Sequence, residues 1–96
     1  MQAVSFGHGF FILEVAMETR VAVISIIIEN GESVQKVNDI LHQYSEHIIG
    51  RMGIPYRKKG ISIISIALDA PQDIINTLSG KIGKLDGVSS KAAYSK

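Results

Sequence analysis

The chain has 96 residues, of which 46% are hydrophobic and 20% charged, and ten basic against nine acidic residues leave a net charge of +1. This length and composition predict a single globular domain, and the balanced charge argues against a protein that works mainly by neutralising a phosphate backbone. The lack of cysteine excludes disulfides, thiolate nucleophiles and zinc–thiolate or iron–sulfur sites.

The chain begins with an apolar stretch, "FGHGFFILEVA" at residues 6–16, that is too short to span a bilayer. No Lys or Arg precedes it and Glu14 interrupts it, so it does not fit a signal peptide either. We therefore expect a weakly ordered N-terminal extension over residues 1–19, no membrane association, and a folded domain over residues 20–96. Met17 is then a candidate for the true initiator. Together with the lack of cysteine, these features predict a cytoplasmic protein.

The folded domain opens with "RVAVISIII" at residues 20–28, whose β-branched side chains favour a strand. The polar turn "ENGES" follows at residues 29–33, and Ser33 is a candidate N-cap for a helix. The next apolar residues have the three-and-four spacing of one helix face, and they are Val34, Val37, Leu41, Tyr44 and Ile48.

Two further strands are predicted in the middle of the chain. "HIIGRMGIPYR" at residues 47–57 indicates an irregular or edge strand, because two glycines and Pro55 weaken it. "RKKG" at residues 57–60 turns the chain. "ISIISIAL" at residues 61–68 is then the clearest strand of the sequence.

A second helix is predicted over residues 69–85, "DAPQDIINTLSGKIGKL". Asp69 is its candidate N-cap, and Gln72 lies three residues later, as a capping box requires. A turn at residues 86–87 precedes "VSSKAAYS" at residues 88–95, a last and weaker strand. The apolar stripe of the helix comprises Ile74, Leu78, Ile82 and Leu85.

The predicted order is strand, helix, strand, strand, helix, strand. Two split βαβ units with right-handed crossovers place these strands in one four-stranded antiparallel sheet with both helices on one face. The sequence therefore predicts an α+β protein with the ferredoxin-like βαββαβ sandwich.

The two central strands are apolar on both faces, whereas a sheet with one face in water should alternate apolar and polar residues. On the first strand, Ile24 and Ile26 lie on one face and Val21, Val23 and Ile27 on the other. A large bare apolar face usually marks an interface. We therefore expect a homo-oligomer, a dimer or a tetramer, joined through sheet faces or edges. The alternative is that the N-terminal extension covers the second face.

Two stretches, "IIGRMGIPYRKKGISIISIALDA" at residues 48–70 and "SGKIGKLDGVSSKAAYSK" at residues 79–96, resemble the family of proposed regulators of the iron-only hydrogenase system. The string at residues 51–57 is the most specific part. The resemblance covers residues 20–96 and implies an ACT-like domain, which has the ferredoxin-like fold. It also implies a small effector, such as an amino acid, bound at a dimer interface where the first strand turns into the first helix. The corresponding turn here is residues 29–33.

The fold is also similar to the effector domain of the nickel-responsive repressor, which binds metal through histidines and a cysteine around its second and third strands. This chain has no cysteine and offers only His47 in that region. The N-terminal extension is too short to supply the ribbon–helix–helix domain of that repressor. We therefore expect neither a bound metal or other cofactor nor direct DNA binding.

The candidate ligand-binding residues lie on the first turn and along the second strand. The turn precedes a helix N-terminus, where N–H groups and the helix dipole favour anions, although plain capping is the alternative. Arg51 lies among apolar residues, so it is a candidate for partial burial and for holding a carboxylate of the chain or of an effector. Tyr56 could stack on a ligand or pack in the core. The predicted set is Asn30, Gly31, Glu32, Ser33, Arg51, Tyr56 and Arg57.

Arg51, Arg57, Lys58 and Lys59 form a basic cluster with no acid among them. The simplest interpretation is a solvated hairpin turn whose lysines protect a sheet edge. A patch for a ligand or a protein partner is the next alternative. A nucleic-acid surface is the third, and the scarcity of flanking aromatics argues against it.

Catalytic patterns are missing from the sequence. The three histidines are scattered, and none is spaced to activate the strand serines. We therefore expect no enzyme, but a small regulatory module that self-associates and binds a small effector at the interface. The alternative is a structural protein–protein interaction module with no small ligand.

Overall fold

The structure of the chain is a computed structural model that describes residues 18–95. The predicted N-terminal extension, apart from its last two residues, and the proposed start at Met17 lie outside the described residues. Two single-turn 3-10 helices, Ser45–His47 and Arg57–Lys59, flank the second strand. The main elements are β1 (Arg20–Ile28), α1 (Ser33–Gln43), β2 (Ile48–Tyr56), β3 (Ile61–Ala70), α2 (Gln72–Gly83) and β4 (Val88–Tyr94).

The four strands form one sheet in the order β2-β3-β1-β4, and every neighbouring pair is antiparallel. With one helix after β1 and the other after β3, this topology confirms the predicted α+β ferredoxin-like fold. In the centre of the sheet, Ile24 of β1 pairs with Ile66 of β3, and Ile26 pairs with Ile64. The two strands with the strongest β-branched patterns therefore occupy the two central positions.

The core lies between the sheet and the two helices. Alternate residues of β1 and β3 point toward the helices, as the period of two in a strand requires. Burial of each large aliphatic side chain stabilises the fold by about 1.5–3 kcal/mol. The largest side chains with essentially no exposed surface are Ile24, Ile26, Ile28, Val37, Leu41, Ile66, Leu68, Ile75, Leu78 and Ile82.

The start and the end of α1 differ from the sequence prediction. The N-cap position is Glu32 and not Ser33, and no side chain caps the helix there. The Asn30 side-chain oxygen accepts the Glu32 N–H at 3.0 Å, so the turn itself fixes the helix start. The helix ends at Gln43, and Ile48 belongs to β2, where it pairs with Leu68. The apolar spacing continues past the end of the helix because Ile48, the first residue of β2, packs against the core.

The predicted capping box of α2 is also wrong. Asp69 belongs to β3, where it pairs with Val21, and Pro71 occupies the N-cap position. The Gln72 amide donates to the Asn76 side-chain oxygen at 3.0 Å and to the Tyr94 hydroxyl at 2.8 Å. Asp69 and Ala70 therefore belong to β3, where they pair with β1, although the sequence pattern assigns both residues to the helix. The apolar stripe also differs, because Ile75 is buried completely, whereas the predicted Ile74 is only partly buried.

Candidate functional site

The side of the sheet that faces away from both helices is mostly apolar, and we call it the open face. Directly paired strand residues point to the same side of a sheet. Ile54, Ile63 and Ile27 form one such row across β2, β3 and β1. Beside it, Met52, Ser65, Ser25 and Lys91 form the next row.

Every large hydrophobic side chain that is exposed in residues 18–95 lies on β1 or β2. Six of these seven residues lie on the open face and are 40% to 52% exposed; the seventh, Ile49, lies at a β-bulge in β2. This confirms that the central part of the sheet is apolar on both sides. Six exposed large hydrophobic side chains on one face of a sheet are unusual for a soluble monomer. The six residues are Val21, Val23, Ile27, Met52, Ile54 and Tyr56.

β2 is an edge strand, and residues 18–95 leave both of its faces largely uncovered. Apart from partly buried Ile48, all of its residues are exposed, including Arg51, Gly53 and Pro55 on the side toward the helices. The β-bulge at Ile49 and the missing N–H of Pro55 both limit pairing with a further strand. The structure thus confirms the predicted irregular edge strand.

The predicted binding turn at residues 29–33 is bonded to the turn between α2 and β4. The Asn30 amide donates to the Asp86 carboxylate at 2.7 Å, and the buried Ser33 hydroxyl donates to the Asp86 carbonyl at 2.7 Å. The N–H groups of Glu32, Ser33 and Val34 all have acceptors inside the turn. These bonds fit the capping interpretation, and binding of an effector by this turn stays a prediction.

Arg51 is exposed, so its expected partial burial is wrong. The physical reason is that the helices do not cover β2. Its guanidinium reaches across to α1 and donates to the Asn38 side-chain oxygen at 2.9 Å. Arg51 and Asn38 both line two shallow grooves, of about 290 Å³ and 220 Å³. Sequence reasoning missed Asn38, because nothing in its local pattern shows that α1 passes within reach of β2.

The remaining predicted residues, Tyr56 and Arg57, lie at the end of β2. Tyr56 is on the open face and is not a core residue. Arg57, Lys58 and Lys59 are all exposed in a turn that Gly60 closes in the left-handed conformation. Among the described residues the single ion pair joins His47 to Glu46, so the basic cluster has no carboxylate within ion-pair distance there. This exposure fits the solvated hairpin.

The strand register places the basic hairpin and the first turn at the same end of the sheet. Ser62 of β3 pairs with both Ile28 of β1 and Pro55 of β2. The chain therefore brings Tyr56 and Arg57 to the end of the sheet that carries residues 29–33. Arg51 lies farther along β2, beside α1. No hydrogen bond joins the turn to Arg51 or Arg57 in the described part of the chain.

Residues 18–95 contain neither a cluster of metal-ligating side chains nor a membrane-spanning helix. No three His, Asp or Glu side chains come close enough together there to hold a metal ion. None of the helices in this range combines the length and the hydrophobicity needed to cross a membrane.

Comparison with known proteins identifies the family. The TM1266-like family, described as proposed iron-only hydrogenase system regulators, matches residues 20–92. The chain belongs to this family. It is similar to the solved structure of an uncharacterized protein, TM1266 from Thermotoga maritima, with a TM-score of 0.79 and 35% sequence identity. The match covers 82% of this chain and 100% of that chain. No curated protein matches the sequence.

Proposed function

We propose that this member of the family is a regulatory module without catalytic chemistry that self-associates through the open face and responds to a small effector. The regulated system would be the iron-only hydrogenase system of the family description. The observation that carries the proposal is the open face, where β1 and β2 together expose six large hydrophobic side chains.

The size of the open face fits a second copy of the chain. Four strands about 4.8 Å apart and about 25 Å long give an area of about 500 Å² on each copy. Two such faces bury about 1,000 Å², the lower bound for a specific interface. By register the described strands place one acidic residue, Asp69, and one basic residue, Lys91, on the open face near its borders. Two copies therefore meet without a net like-charge repulsion.

The effector site is proposed at the end of the sheet where residues 30–33 of one copy approach Tyr56 and Arg57 of another. Arg51 is a second candidate contact. Regulation requires that the effector binds one arrangement of the copies more tightly than another, because a ligand with equal affinity for both shifts nothing. An amino acid has both an ammonium and a carboxylate, so it suits a site that mixes Glu32 with an arginine.

Sedimentation velocity of the full chain, with and without a pool of amino acids and other metabolites, tests this function. We expect an oligomer whose sedimentation coefficient changes with one metabolite. Arg57→Ala and Arg51→Ala should each weaken that response more than Lys58→Ala, which removes the same charge. An oligomer that is indifferent to every metabolite would contradict the effector, and a monomer at all concentrations would contradict the self-association.

A second candidate is a structural interaction module that recruits a protein partner and binds no small ligand. It is favoured by the bonds that occupy Asn30 and Ser33 within the chain, because those atoms are then unavailable to an effector. This candidate predicts the metabolite-indifferent oligomer.

A further inference from the structure

A groove between α1 and β2 ends at Arg51, and we call it the α1–β2 groove. It has a volume of about 290 Å³, close to the lower limit for small-molecule sites. Its floor is apolar and is formed mainly by the partly buried Ile48, because Leu41 is almost completely buried. The residues that line it are Asn38, Leu41, His42, Ser45, Ile48 and Arg51.

The charge in this groove is not balanced by the described part of the chain. Arg51 donates one hydrogen bond to a neutral amide oxygen, that of Asn38, and residues 18–95 place no carboxylate within ion-pair distance of it. A guanidinium has five N–H donors and stays charged at any physiological pH. The contact with Asn38 holds the guanidinium at the rim of the groove and leaves donors for a second acceptor.

The other polar groups of the groove narrow the ligand class. His42 and Ser45 can each donate or accept a hydrogen bond, and no acidic side chain of residues 18–95 lines the groove. One permanent cation next to an apolar floor matches a ligand with one negative charge and a short hydrocarbon chain. A planar carboxylate also fits the paired donors of a guanidinium.

We propose that the α1–β2 groove binds a small monocarboxylate, with its carboxylate on Arg51 and its aliphatic chain against Ile48. None of residues 30–33, Tyr56 and Arg57 lines this groove, so the inference goes beyond the proposed function and adds a second ligand site. Binding itself requires only the contacts of one copy of the chain.

An NMR titration of the full chain with sodium butyrate tests the proposal. We expect saturable shifts of the Arg51 side-chain N–H and the Asn38 amide signals, and no shifts with butyramide, which has the same chain without the charge. Arg51→Gln should weaken butyrate binding about tenfold or more, because a hydrogen bond to a charged group is lost. Lys58→Gln, which removes one charge outside the groove, should leave the affinity unchanged.

Three results would overturn the carboxylate site. They are no saturable shift with butyrate, unchanged affinity in Arg51→Gln, and equal shifts at the same signals with inorganic phosphate. Sedimentation of the same samples measures the oligomeric state, so that butyrate binding and self-association are tested independently. Butyrate binding by a monomer would contradict the oligomer and support the groove, whereas an oligomer that does not bind butyrate would contradict the groove alone.

Discussion

Gly87 lies in the turn between α2 and β4 and packs against the turn at residues 29–33. Its φ angle is +70°, and a β-carbon there would lie 2.7 Å from the Asn30 β-carbon and 2.9 Å from the Asn30 nitrogen. Its carbonyl accepts the Glu29 N–H at 2.6 Å. The position therefore demands glycine for two independent reasons, a left-handed backbone and a close approach of main chain.

Gly87→Ala should lower the free energy of unfolding by about 3 kcal/mol, the sum of the backbone strain and the steric overlap. Urea denaturation measures the loss. Gly60→Ala is the matched control, because Gly60 has a φ of +66° but open space around its β-carbon position. That variant should lose only about 1–2 kcal/mol. Equal losses in the two variants would contradict the close approach to Asn30.

Ser33 can be tested in the same way as a structural residue. Its side chain is 2% exposed and donates to the Asp86 carbonyl, so it links the start of α1 to the turn before β4. Ser33→Ala should cost about 1–2 kcal/mol of unfolding free energy, because the bond is lost and its acceptor stays partly buried. The exposed Ser45→Ala should change stability little. Unchanged stability in Ser33→Ala would contradict a stabilising role for the hydrogen bond between Ser33 and Asp86.

At the scale of elements, β1 has two chemically similar sides with different environments. Ile26 is completely buried under the helices, whereas Ile27, the next residue, is 42% exposed on the open face. The two residues have the same side chain on the same strand. Ile26 should therefore contribute to the stability of a single copy, whereas Ile27 should contribute to the association of copies.

Ile26→Ala should destabilise the chain by about 2–5 kcal/mol at every protein concentration, because it leaves a cavity in the core. Ile27→Ala should lower the melting temperature little in dilute protein and more in concentrated protein, because association stabilises the native state by mass action. Thermal unfolding across a hundredfold dilution series measures both. A concentration-independent melting temperature in the unsubstituted chain would contradict association, and an equal concentration dependence in Ile27→Ala would contradict association through β1.

The order of elements could be predicted from the sequence, because each change of hydrophobic period marks a new element. The β-branched runs at β1 and β3 gave the two central strands correctly. The element ends were less predictable, since long-range pairing decides them. Ile48 and Asp69 both match helix signals locally, yet pairing with Leu68 and Val21 places them in strands.

At the scale of the whole molecule, the open face could be predicted and the environment of Arg51 could not. Strand alternation alone assigns Val23 and Ile27 to the side away from the core. The surroundings of Arg51 depend on how much of the sheet two short helices cover, which local pattern does not encode. The Arg51–Asn38 contact follows from that partial coverage, and so does the α1–β2 groove.

The central claim is that the open face is an interface between copies of this chain. Sedimentation equilibrium of the full chain and of Ile27→Asp, with Lys58→Asp as the control for an added acidic residue, tests it most directly. We predict a dimer or tetramer for the unsubstituted chain and for Lys58→Asp, and a folded monomer for Ile27→Asp, because burying an unpaired carboxylate is costly. A monomeric unsubstituted chain, or an oligomer that Ile27→Asp leaves intact, would contradict the claim.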